Sequence, residues 1–234
     1  MKNHVLLVPI VLGMLWSAPA IGADFQKGIA AYEKKDYATA LQEWKPLAER
    51  GDAYAQYSLG LMYNLGWGVP QDHKQAAKWY SAAAEQGLAK AQYILGWMYF
   101  NGEGVPQDYR QGIKWFTTAA QQGYALAQYY LGLKFYEGND VLQDYKLAVK
   151  WYTAAAEQGI TEAQNYLGRL YRNGNGVLQD YKRAHMWFNI AASLGNSYGI
   201  KSRDNLAKKM TPADISKAQE LARECIEKKK LKGC

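Results

Sequence analysis

The side chains that could do chemistry in this chain are few, and they do not converge. Past the leader described below there are only two histidines, His73 and His185, and the only cysteines are Cys225 and Cys234. A metal needs three or four ligands at short spacings, and a nucleophile needs a base within hydrogen-bond reach. The two histidines stand far apart, each near the start of a helix, and read as surface or packing residues. No serine is followed three residues later by lysine, so the usual serine β-lactamase nucleophile motif is absent. The recurring glycines do not join a strand to a helix and form no phosphate loop. Asp72, Asp108, Asp144 and Asp180 recur every 36 residues, which suits helix caps better than paired acids. The expectation is a protein that is not an enzyme and carries no cofactor and no metal.

The same interval organises the whole chain. Gly60, Gly96, Gly132 and Gly168 fall on it, as do Gln56, Gln92, Gln128 and Gln164, and Trp79, Trp115, Trp151 and Trp187. Repeats of roughly 20 to 50 residues are units too small to bury an apolar face alone, so they stack into a solenoid. In the block 88–123, Ala91, Leu95, Met98 and Tyr99 trace one helix, which Gly102 ends. Gly104 is expected at positive φ, Val105 to plug the core and Asp108 to cap a second helix carrying Trp115, Phe116, Ala119 and Ala120. Gly96 should admit a neighbouring helix closely, and the tryptophans should be the main energetic anchors, each worth about 2 to 3 kcal/mol on burial. The third block has Asp140 where Gly68, Gly104 and Gly176 stand, so the loop conformation of the others does not carry over to it.

The two ends differ from the array. Met1 to Ala23 reads as a signal peptide, a basic start and a short apolar run followed by small residues, with cleavage after Ala20 or Ala23. The mature chain is expected to be exported to the periplasm, with the extracellular space as the alternative. From Asp24 to Gly195 there are 17 Lys+Arg against 16 Asp+Glu, and from Asn196 onward 10 against 5. A basic stripe along the repeats is therefore missing, which argues against nucleic acid. Lys228, Lys229, Lys230 and Lys232 read as a solvated helix end or, as an alternative, as an attraction to anionic lipid. Cys225 and Cys234 are expected to form a disulfide, since the chain after a helix ending near Lys230 can fold back. Thr211 should cap a last helix opened by Pro212, with Asp214 in its first turn, covering the end of the stack. About twelve helices and no sheet are expected.

The strings Ala-Gln-Tyr-x-Leu-Gly and Gly-x-Gly-Val-Pro-Gln-Asp-Tyr, then Trp-Tyr/Phe and Ala-Ala-x-Gln-Gly, resemble the Sel-one-like repeat family, a tetratricopeptide-like branch of the α-solenoids. The resemblance covers four units, 52–87, 88–123, 124–159 and 160–195. Residues 24–51 resemble a shorter tetratricopeptide-type unit without the Gly-Val-Pro loop, with Asp36, Tyr37, Ala40 and Trp44; Trp44 is displaced by one place, since 36 residues later stands Tyr80. The resemblance implies an all-α, right-handed superhelix of helix pairs, with residues 196–234 as C-terminal capping helices.

At about 100° per residue, one face of each first helix points away from its packing side. That face carries Tyr54, Tyr57, Leu61 and Asn64, then Lys90, Tyr93, Trp97 and Phe100, then Leu126, Tyr129, Leu133 and Tyr136, then Glu162, Asn165, Arg169 and Arg172. The resemblance implies that first helices line a concave groove. The expected function is that of a monomeric adaptor or regulator that binds a protein or peptide there, a cell-envelope enzyme being one candidate partner. Tyr93, Trp97, Phe100, Tyr129 and Tyr136 would be anchors, and Arg169 and Arg172 would hold a carboxylate. The alternative is penicillin binding or weak β-lactamase activity as credited to cysteine-rich relatives, although no repeat here contains a cysteine.

Overall fold

The computed structural model describes residues 23–227 and 233. Residues 1–22 of the expected leader, the lysines at 228–230 and 232, and Cys234 of the expected disulfide lie outside the described residues. α1 (Ala23–Glu33) pairs with α2 (Tyr37–Glu49), and α3 (Ala53–Leu65) with α4 (His73–Glu85). The next pairs are α5 (Ala89–Asn101) with α6 (Tyr109–Gln121), α7 (Ala125–Glu137) with α8 (Tyr145–Glu157), and α9 (Thr161–Asn173) with α10 (Tyr181–Ser193). α11 (Ser197–Ala207) and α12 (Pro212–Glu227) follow, and no strand occurs among the described residues. Each helix packs on its successor up to α11, while α12 folds back on α10 and covers the end of the stack.

Each pair is locked by an aromatic ring seated on a glycine. A Cβ added to Gly60 would come within 2.7 Å of the Tyr80 ring, and one at Gly96 within 2.7 Å of Phe116. Gly132 faces Tyr152 and Gly168 faces Phe188 in the same way, and all four rings are fully buried. These rings, one place after the tryptophans, are the anchors shared by every repeat. Of the tryptophans expected in that role, Trp151 and Trp187 are buried but Trp79 and Trp115 are only half-buried. One residue further along a helix is about 100° of rotation, enough to turn a side chain from the seam between helices to its margin. Trp44 in the N-terminal pair sits in the Tyr80 register, buried against Gly28, with its Nε1 donating to Phe25 O at 3.2 Å.

The ends of the helices follow from local chemistry. Asp72, Asp108, Asp144 and Asp180 accept from backbone N–H groups of the first turns of α4, α6, α8 and α10, and Asp36 does so for α2. Thr211 Oγ1 accepts from Asp214 N, and Pro212 opens α12. Gly104 takes φ +72°, and its lack of a Cβ lets the loop lie on the His73 carbonyl of the preceding repeat; Gly68 and Gly176 meet Tyr37 and Tyr145 likewise. Val105 packs on the core behind it. Successive repeats are also tied by buried glutamines: Gln92 Nε2 donates to Ala84 O at 3.0 Å while its Oε1 accepts from Gln122 Nε2 at 2.7 Å. Gln56 and Gln128 make the same bonds with Ala48 and Gln86, and with Ala120 and Gln158.

The third repeat departs from this scheme in two places that meet. Asp140 replaces the loop glycine, and Lys134 stands where the other repeats have Met62, Met98 and Leu170. Lys134 Nζ pairs with Asp140 and lies 4.4 Å from the Phe100 ring centroid. Asp140 is not at positive φ. The bond that joins Glu103 N to Met98 O, and its counterparts at Trp67 and Asn175, has no equivalent from Asn139 to Lys134.

Candidate interaction face

In a curved stack of helix pairs, the helices nearest their counterparts in the next repeat lie on the inner side. Here α7 reaches α9 and α9 reaches α11. Aromatic rings bridge first helix to first helix, Trp97 to Tyr130 at 4.7 Å and Tyr136 to Tyr166 at 5.2 Å between centroids. The first helices therefore form the inside of the curve, and candidate binding residues belong on their unpacked surfaces.

Four of the residues expected there belong to the core instead. Tyr57, Leu61, Tyr93 and Phe100 are all buried. Tyr57 packs on Tyr80, Tyr93 on Phe116, Tyr124 and Tyr130, and Phe100 on Tyr109 and Phe116, with Gly112 making room for its ring. Leu61 joins the same apolar cluster. The helical projection accounts for one neighbour, whereas a first helix in this array is also covered by the adjoining first helix and by the preceding second helix. Burial raises the Tyr57 and Tyr93 hydroxyl pKa values well above the usual tyrosine range, so both stay neutral.

The other eight, Lys90, Trp97, Tyr129, Leu133, Tyr136, Asn165, Arg169 and Arg172, are half-buried. Trp97 is edge-on to Phe116 and Tyr130, and its Nε1 is buried. Lys90 is partly desolvated, which lowers its ammonium pKa. Asn165 has its Oδ1 buried without a protein partner. Trp97, Leu133 and Arg169 occupy one register in α5, α7 and α9, and Leu126, seven residues before Leu133 and so on the same face, is 37% exposed.

Arg169 is the most distinctive of these groups. Its guanidinium lies 5.2 Å from the Tyr166 ring centroid and 5.5 Å from that of Tyr136. Burial raises the Tyr166 hydroxyl pKa, and the nearby Arg169 charge offsets part of the rise. Among the described residues neither Arg169 nor Arg172 forms an ion pair. The aromatic bed on which this cation rests is completed by Tyr166, and the ring against Trp97 is Tyr130; the sequence reading singled out neither. The available signal was the replacement of Ser58 and Ile94 by tyrosine in the same register of the last two repeats.

The profile described as Sel1 repeat matches residues 53–88, 89–124, 125–160 and 161–196, units that begin one residue later than those read from the sequence. A Sel1 repeat protein from Oxalobacter formigenes is similar at 32% identity over 87% of this chain and 84% of its own, with a TM-score of 0.74. A Sel1 repeat protein from Klebsiella pneumoniae is 20% identical over 79% of this chain and 91% of its own, with a TM-score of 0.49. The immunity protein Pa5087 from Pseudomonas aeruginosa is 20% identical over 88% of this chain and 83% of its own, also with a TM-score of 0.49. These last two likenesses are too slight to carry an argument. No curated protein matches the sequence. With four matched units in register and a stack of helix pairs built on their shared residues, the chain belongs to the Sel1 repeat family.

Proposed function

We propose that the protein is an exported adaptor that holds a protein or peptide along the first-helix face of its repeats. Arg169 is the observation that carries this reading: a cation stacked over two tyrosines, without an acidic partner, in register with Trp97 and Leu133. Aromatic and arginine side chains on one concave strip make the anchors typical of protein recognition. The half-exposed Leu126 extends the strip with an apolar contact. Membership of a family of stacked helical repeats supports the same role, because such stacks present extended concave surfaces. The N-terminal leader motivates export, which is tested by the mass of the mature chain and its recovery in the envelope fraction.

Site-specific photocrosslinking tests the face directly. A benzophenone side chain in place of Leu126 should yield an adduct in intact cells, while the same group in place of Lys114, exposed on α6, should not. Arg169→Glu should abolish the adduct at 126 with the helical signal retained. Equal adducts at 126 and 114 would overturn the concave assignment, and an adduct made of two copies of this chain would overturn the monomeric adaptor.

A further inference from the structure

Beside Arg172 the array ends in a cleft of about 420 Å³. Its walls are Arg172 and Asn173 from the end of α9, Gln179 just before α10 and Tyr181 at its start, and Asn205 from the end of α11 with Lys209 just beyond it, over a floor of Leu206. The origin of the cleft is legible in the repeat. In the third repeat the corresponding surface, at Tyr145, is filled by the next loop, where Gly176 lies against the Tyr145 carbonyl. Tyr181 is the counterpart of Tyr145, but after α11 the chain turns through 208–211 straight into α12, and no further loop arrives.

The lining is one-sided in its chemistry. It holds two full positive charges and several amide donors, and none of its side chains is a carboxylate. Two acids, Asp180 and Asp214, line the adjoining cleft that Lys209 also borders, but each is engaged: Asp180 caps α10 and Asp214 pairs with Lys182, as Asp204 does with Arg203. Neither Arg172 nor Lys209 has an acidic partner among the described residues. The ends of α9 and α11 bring at most about half a negative charge each, and Gln179 Nε2 already covers the Arg172 carbonyl at 2.8 Å. The partial positive charge at the start of α10 is already answered by the Asp180 carboxylate that caps it, so the cationic character of the cleft rests on Arg172 and Lys209 themselves.

We propose that this cleft receives a carboxylate, belonging to the segment that lies on the first-helix face. The inference rests on the adaptor reading and supplies its polarity: Arg169 and Arg172 are one turn apart on α9, so an extended chain crossing the Tyr136–Tyr166 bed reaches the cleft with its acidic end. Arg172, whose Nε already donates to Asn173 Oδ1 at 3.0 Å, would make the forked contact that a planar carboxylate favours through its two terminal nitrogens, with Lys209 as a point charge. Either a chain terminus or an acidic side chain supplies this chemistry.

The test is a titration followed by amide NMR with three probes: acetyl-Ala-Leu-Ala with a free C-terminal carboxylate, the same peptide as its amide, and acetyl-Ala-Asp-Ala amide. Saturable shifts of Asn173, Asn205 and Lys209 signals with one or both acids, and none with the neutral amide, are expected. Response to the free acid alone identifies a chain terminus, and response to both identifies any carboxylate. In Arg172→Gln/Lys209→Gln the affinity should fall at least about tenfold, and more salt should weaken the wild type, as for exposed charges. Equal shifts with the neutral amide, or none with either acid up to about 10 mM, would overturn the proposal. Photocrosslinking at position 126 reports on the groove independently: adducts there with a silent cleft discard the cleft alone, whereas loss of adducts discards the groove.

Discussion

The first two repeats and the last two are built on one plan and obey it unequally. Through α3 to α6 the loop, bridging and anchor positions do their shared jobs: the loop glycines approach the preceding repeat, the glutamines bridge, and a buried ring sits on each helix glycine. Departures gather in α7 to α10. Lys134 and Asp140 are two exceptions that satisfy each other, a cation in place of a core methionine and an acid in place of a loop glycine. Gln164 is an exception left unanswered. Its Nε2 donates to Ala156 O at 3.1 Å, but its Oε1 is buried without a partner, because Leu194 stands where Gln86, Gln122 and Gln158 supply a donor. A repeat thus tolerates broken periodicity when the partner changes too, and otherwise carries the cost.

The sharpest way to break the comparison is to impose the third repeat's loop on the second. Gly104→Ala places a Cβ at φ +72° and into the His73 carbonyl. Left-handed backbone alone costs about 1 to 2 kcal/mol for a non-glycine residue, and the clash should bring the loss to about 2 to 4 kcal/mol. Urea unfolding measures it. Asp140→Ala made in a Lys134→Met background, where no ion pair is lost and the position is already free of positive φ, should cost less, and equal losses at the two sites would show the loops to be equivalent.

Next in size is the coupling between the two exceptions of the third repeat. Lys134→Met alone leaves Asp140 half-buried without its cation, and Asp140→Gly alone strands Lys134 beside Phe100. Each should destabilise by about 1 to 3 kcal/mol, between the ranges for exposed and buried pairs. Lys134→Met/Asp140→Gly restores the pattern of the other repeats and should recover most of that loss. A double-mutant cycle with no coupling would mean that the two changes are unrelated.

Much of this was legible in the sequence wherever the cause is local. Aspartate before a helix, threonine before Pro212, and glycine at a turn act within three or four residues, and each is where the spacing put it. The helix face was harder, because whether Tyr93 or Trp97 is covered depends on Tyr130, a residue in the next repeat. The core aromatics had a visible clue in the one-place displacement of Trp44 relative to Trp79. Trp44 packs on Gly28 as Tyr80 does on Gly60, so the shared anchor is the ring opposite the glycine rather than the repeated tryptophan. The cleft beside Arg172 arises from a loop that is missing, and no residue of the repeat marks it.

The unanswered glutamine permits a change in the stabilising direction. Leu194→Gln gives Gln164 Oε1 the donor its counterparts have and withdraws an apolar side chain that is 56% exposed. A gain of about 0.5 to 1.5 kcal/mol is expected, the ordinary net worth of one such bond. The reverse change, Gln122→Leu, should orphan Gln92 Oε1 and cost about 1 to 3 kcal/mol, the penalty of a buried unsatisfied acceptor. Thermal melting of both variants decides it. If Leu194→Gln is neutral while Gln122→Leu is costly, the last repeat has already relaxed around its missing partner.

The smallest effect at neutral pH, and one that only acid reveals, concerns His185. The second helices of the first three repeats hold Ala77, Ile113 and Val149 at this register, so the imidazole is another departure in the last repeat. It is 1% exposed, with Nδ1 lacking a protein partner. Burial lowers its pKa from the usual 6.5, the positive Arg203 lowers it further, and Asp204 opposes both. The unfolded chain therefore takes up the proton first. Above pH 6.5 both states are neutral at this site and its contribution is complete; as pH falls below that, protonation favours the unfolded state and stability drains away until the folded pKa is passed. His185→Val, which installs the third repeat's residue, should melt like the wild type at pH 8 and lose less between pH 7 and pH 5. Identical pH profiles for the two proteins would mean that His185 is protonated without cost, with Asp204 rather than burial governing the site.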